Sequence, residues 1–158
     1  MNGAGNYRIL DEPQPGGLSS IAVSPVWPLF AYMFGGAWFA WMWFAINGFA
    51  IGSPTRFREL SFACIGFLGV IAIAVLLGCM KAAELLPQEM IVYGLLVVTL
   101  WKLGICYWLY ALQNRSFTLY QYFGGTVRSG IAVVIVGYLL GPAVIKLSTN
   151  GLWRLLVS

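Results

Sequence analysis

Apolar residues fall in four long runs separated by short polar stretches, and the length of the runs decides what the chain can be. Val26 to Ile51 and Leu60 to Met80 hold no charged residue, Met90 to Leu112 holds only Lys102, and Thr126 to Ile145 holds Arg128 near its start. A hydrocarbon core of about 30 Å is crossed by about 20 helical residues. Backbone in lipid is satisfied only in helices or closed barrels, and none of the runs shows the apolar–polar alternation of barrel strands. The pattern therefore predicts transmembrane helices at 26–51, 60–80, 90–112 and 126–145.

The intervening stretches are brief. Residues 52–59 contain Pro54, 81–89 contain Pro87, and 113–125 end in Gly124-Gly125. Short connections make successive helices antiparallel neighbours. The predicted fold is an all-α integral membrane protein, a compact bundle of four transmembrane helices with short loops. Residues 1–25, with repeated Gly, Pro and Ser, read as a flexible polar tail. Residues 147–158, where Trp153 and several leucines flank Arg154, read as an interfacial tail.

Composition sharpens this. The chain has 158 residues, 60% hydrophobic and only 9% charged, against about 25% charged in soluble domains, which excludes a soluble enzyme. The net charge of +4 suits anionic lipid, and no basic patch extends from the membrane surface to suggest nucleic acid. Arg56, Arg58, Arg115 and Arg128 cluster in or beside loops 52–59 and 113–125 and are expected to meet lipid headgroups. Four Lys or Arg residues flank each side, so their count alone is even; the Arg56 and Arg58 pair in the tight loop beside the first run, where the positive-inside rule acts most strongly, points to a cytoplasmic side for those loops, with both termini on the other side. The expected location is a bacterial inner membrane.

Several chemistries are missing. The sequence has no histidine, which removes imidazole ligation and histidine acid–base catalysis. Cys64, Cys79 and Cys106 lie within or at the ends of the runs and form no Cys-x-x-Cys pair. Asp11, Glu12, Glu59, Glu84 and Glu89 all fall outside the runs, so the intramembrane glutamate on which small four-helix drug/proton antiporters rely has no counterpart. No catalytic group, metal site or cofactor is expected.

Lys102 stands near the middle of the third run. A central lysine costs roughly 2.5–3.5 kcal/mol of insertion free energy, and an intramembrane ionisable residue is a functional candidate by default. Thr99 and Cys106 stand one turn to either side on the same projected face. Three roles are open to Lys102: pairing with a carboxylate of another protein, lining an anion-attracting path, or resting against carbonyls and Asn47. In the aromatic first run, Phe34, Trp38 and Trp41 share helical spacing and form a candidate contact surface. Small residues allow close helix approach in lipid, which singles out Gly66 and Gly69 in the second run and Gly130, Gly137 and Gly141 in the fourth.

Two functions follow as expectations. One is a non-enzymatic protein that grips another integral membrane protein through helix contacts, as an accessory or assembly subunit or an immunity-type protein. The other is a small oligomeric channel or transporter with Lys102 lining the path. Partners are therefore membrane lipids and either a second membrane protein or further copies of the chain.

Overall fold

A computed structural model describes residues 13, 16–85, 87–147 and 151–157. The expected tail at 1–12, 14 and 15, including Arg8, Asp11 and Glu12, lies outside the described residues, as do 148–150 and 158 of the expected interfacial tail. The described residues form five α-helices: α1 (Val26–Ala50), α2 (Arg56–Ala82), α3 (Ile91–Tyr122), α4 (Ile131–Lys146) and α5 (Gly151–Val157). There is no strand among them, only an isolated bridge between Val23 and Arg128. Three helices, α1, α2 and α3, are long and apolar enough to cross a membrane; α4 is apolar but shorter.

The first of these does not run straight. Gly36 sits at φ 81° and ψ 174° inside α1, a conformation open essentially to glycine alone. The consequence is visible at the helix ends. The Val23 N–H donates to Asn47 Oδ1 at 2.9 Å and Asn47 Nδ2 donates to the Val23 carbonyl at 2.9 Å. A straight helix separates residues 26 and 47 by about 30 Å, at 1.5 Å per residue. The chain therefore folds back at Gly36. Residues 26–35 and 37–50 form a helical hairpin about 15 Å deep, with both ends at one end of the bundle. Pro28 is accommodated in the first turn, where its missing N–H would have had no helical partner.

Helix α4 lines this hairpin. Its small residues meet the first arm in order: an added Cβ at Gly130 would meet the Trp27 side chain, one at Gly137 would lie 3.5 Å from the Ala31 carbonyl oxygen, and one at Gly141 would lie 2.5 Å from the Phe34 carbonyl oxygen. The hairpin tip thus lies beside the far half of α4. The expected fourth run, 126–145, is helical only from Ile131. Residues 126–130 are non-helical, and the Arg128 N–H bonds the Ala22 carbonyl at 2.9 Å.

Each long helix closes in the same way. After α1, the Gly52 N–H bonds the Phe49 carbonyl at 3.2 Å and the Ser53 N–H the Gly48 carbonyl at 2.9 Å, with Gly52 left-handed at φ 65°. This Schellman arrangement satisfies the last carbonyls and turns Ser53 back under the helix. Glu84 and Gly124 occupy the equivalent left-handed position after α2 and α3.

The third helix also exceeds its expected length. Residues 113–122, expected as loop, continue α3 because its buried stripe continues: Val98, Lys102, Cys106, Leu109, Gln113, Phe117 and Tyr120 follow at three- and four-residue intervals. Residues 16–25, expected within the tail, include buried Ala22 and Val23; Ala22 packs with Ile51, Phe117 and Tyr120. At the opposite end α5 turns back inward, so that Leu155 and Leu156 pack on the main core of Ala37, Trp41, Phe44, Cys106 and Leu109. The volume beneath the short hairpin is filled by this second returning segment.

Candidate functional site

Among the described residues, two polar clusters lie inside the apolar bundle. The larger is assembled from three helices at the end where both arms of α1 terminate. Asn47 stands near the end of α1, Glu59 in the first turn of α2 and Gln113 on the buried stripe of α3. Asn47 Nδ2 donates to Gln113 Oε1 at 2.8 Å, and Gln113 Nε2 donates to the Phe44 carbonyl at 2.8 Å and to Glu59 Oε2 at 2.7 Å. The other carboxylate oxygen accepts from Ser53 Oγ at 2.6 Å and Thr55 Oγ1 at 2.9 Å. The Ser53 and Ser116 hydroxyls lie 3.0 Å apart. Glu59 and Gln113 are both completely buried.

Backbone conformation makes room for this cluster. An added Cβ at Gly48 would collide with Glu59 Oε2 and lie 3.3 Å from Gln113 Nε2, so the carboxylate occupies the space a larger residue would fill. Glu59 also lies in the first turn of α2, where the helix dipole favours negative charge. A buried carboxylate is costly unless its lone pairs are engaged, and here both oxygens accept hydrogen bonds. Glu59 therefore belongs to the interior, although its place in the sequence suggested a loop.

The second cluster centres on Lys102, which is buried, about 16 Å along α3 from Ile91 at the helical rise. Its Nζ donates to the Leu155 carbonyl at 2.5 Å. That carbonyl lies in the last turn of α5, where carbonyls lack helical partners and the helix dipole favours a cation. Trp153 Nε1 ties the same helix to the Val144 carbonyl at 2.8 Å. Of the three roles open to Lys102, contact with a carbonyl is the one observed; Asn47 instead belongs to the Glu59 cluster.

The other candidate residues separate. Cys106 is buried one turn from Lys102, but Thr99 faces outward and its hydroxyl bonds the Leu95 carbonyl of its own helix at 3.0 Å. Trp41 is buried against Phe67, with ring centroids 5.0 Å apart. Trp38 packs instead with Phe39 on the α4 side. Phe34 precedes the Gly36 break and pairs with Tyr138, so Phe34, Trp38 and Trp41 share no face. Gly66 accommodates Trp41 and Ile105, while Gly69 accommodates the Trp101 indole, whose Nε1 donates to the Gly66 carbonyl at 3.2 Å.

The arginines also differ in role. Arg56 lies over the Phe49 and Phe57 rings at 5.7 and 5.3 Å, whereas Arg58 and Arg115 border a cavity between α2 and α3. Arg128 borders another, beside Trp43 and the start of α4. Among the described residues, no three His, Cys, Asp or Glu side chains gather as a metal site would require. Sequence reasoning missed Glu59, Gln113 and Ser53; the signal for Gln113 was its seven-residue spacing from Cys106 on the buried stripe. No family model matches the chain, and no curated protein or solved structure matches it.

Proposed function

We propose that this chain is a non-enzymatic multi-pass membrane protein that acts by intramembrane helix contact with another membrane protein, as an accessory or assembly subunit or an immunity-type protein. One observation carries the reading: the interior amide, carboxylate, hydroxyl and lysine side chains bond inward, while α2 and α3 turn apolar faces outward. Asn47, Gln113, Glu59 and Ser53 bond one another, and Lys102 bonds the α5 backbone. The outward faces carry Leu68, Val75 and Leu76 on α2 and Leu96, Leu100 and Tyr107 on α3. Contact between helices in lipid rests on packing, and these exposed apolar side chains supply the surface for it. The contact surface is accordingly on α2 and α3 rather than at Lys102.

The test is the mass and composition of the complex extracted gently from native membranes. A second polypeptide in fixed ratio supports the reading, and a lone monomer overturns it. A homo-oligomer instead supports a small channel or transporter, a second reading favoured by the break at Gly36, since interrupted helices at membrane depth mark transport sites. That reading requires liposome flux that responds to Lys102→Ala.

The bacterial inner membrane remains the proposed location, with loop 52–59 cytoplasmic. The hairpin brings residues 16–25 to the same end as Arg56, Arg58, Arg115 and Arg128, while Lys81, Lys146 and Arg154 belong to the elements of the other end. This arrangement supports a cytoplasmic N-terminal segment, in place of both termini outside. Protection of a cysteine introduced at Ser20 from an impermeant thiol reagent on intact cells is the expected result.

A further inference from the structure

We propose that the cleft between α2 and α3 is a binding site for an anionic phospholipid, with the lipid phosphate held between Arg58 and Arg115. This inference rests on the membrane location and is independent of the partner reading. The cleft has a volume of about 280 Å³ and is lined by Arg58, Trp108, Ala111, Leu112 and Arg115. It lies where the two helices run antiparallel, with the Phe62 and Trp108 ring centroids 5.9 Å apart.

Among the described residues, no carboxylate balances the charge of the cleft. Two guanidinium groups from different helices border one small cavity, and neither has a hydrogen bond or ion pair among the described residues. The carboxylate adjacent in sequence, Glu59, is turned inward and engaged by Ser53, Thr55 and Gln113. Glu84 and Glu89 stand at the far ends of α2 and α3. Like charges in one cleft repel, and a phosphate oxygen set matches the planar donor fork of arginine. Basic pockets between transmembrane helices are recognised sites for anionic headgroups.

The apolar part of the cleft selects a lipid over a free anion. Below Arg115 the same face of α3 continues through Ala111, Trp108, Gly104 and Trp101. The open space beside Gly104, one turn beyond Trp108, leaves room for an acyl chain to lie along α3 from the phosphate position. Inorganic phosphate would engage the arginines alone and leave that apolar face uncovered.

The test is native mass spectrometry of the full chain in detergent, titrated with phosphatidylglycerol and separately with phosphatidylcholine of the same acyl chains. Phosphatidylglycerol is expected to remain bound at a single site while phosphatidylcholine dissociates. Arg58→Gln and Arg115→Gln are each expected to weaken retention about fivefold, the effect of about one cationic contact, whereas Arg154→Gln, on the exposed side of α5, leaves it unchanged. Circular dichroism matching that of the unmodified chain establishes that the variants fold. Equal retention of phosphatidylcholine, or undiminished binding in the double variant, overturns the site. Displacement of the lipid by inorganic phosphate overturns the lipid assignment.

Discussion

Replacing Gly48 by alanine tests the buried carboxylate cluster. The new Cβ would meet Glu59 Oε2 at far below contact distance and Gln113 Nε2 at 3.3 Å. Because Gly48 lies on α1 and Glu59 on α2, relief requires the carboxylate to withdraw from Gln113 or the helices to part. Withdrawal sacrifices a hydrogen bond to a charged group, about 1.5–3 kcal/mol, and disturbs the Ser53 and Thr55 bonds to the other oxygen. Against this, alanine is better than glycine in a helix by about 1 kcal/mol. The expected net loss is about 1–3 kcal/mol. For a chain of this size that lowers Tm by about 2–12 °C, measured by circular dichroism in detergent. Gly104→Ala is the matched control: nothing lies within 4 Å of its added Cβ, so its Tm is expected to stay level or rise slightly. Residues sharing one network are non-additive, so Glu59→Ala should cost less in the Gly48→Ala background than alone. Unchanged Tm for Gly48→Ala, or strictly additive losses in the double variant, would refute the reasoning.

Gly36→Ala is expected to destabilise the chain by about 1–3 kcal/mol, because the backbone there is essentially restricted to glycine; denaturation monitored by tryptophan fluorescence checks this. Gly141→Ala places a Cβ 2.5 Å from the Phe34 carbonyl oxygen and 3.2 Å from the Gly35 Cα. Forced overpacking of this kind costs about 1–3 kcal/mol, so a matching fall in Tm is expected. Lys102→Met removes the donor to the Leu155 carbonyl and loosens α5. A cysteine at the buried Val157 is then expected to react with maleimide several-fold faster than in the Lys102 parent, and equal rates would contradict that role for the lysine.

The sequence was most legible where a single property ran over many residues. Uniformly apolar stretches announce membrane helices, and Lys102 is conspicuous because charge at that depth is costly. Hydropathy does not, however, distinguish a straight helix from one folded back on itself, since both bury apolar residues. Gly35-Gly36 therefore passed as two small residues within a long run. Loop 113–125 was misread for the opposite reason: Gln113, Asn114, Arg115 and Ser116 are polar, yet Gln113 and Ser116 continue the buried face while Asn114 and Arg115 face outward. Glu59 shows the same limit, because its burial depends on space left by Gly48 on another helix. Thr99 shares projected spacing with Lys102, but its side chain falls outside the narrow stripe that touches α1 and α5.

The hairpin in α1 is the feature on which the closed interior depends, and a distance across its ends tests it most directly. Spin labels at Ser20→Cys and Phe49→Cys, in a chain whose exposed Cys64 and Cys79 are serine, report that distance by pulsed electron paramagnetic resonance. A folded-back α1 predicts a separation below about 25 Å, whereas a straight helix at 1.5 Å per residue places the labels beyond about 35 Å and would contradict the fold.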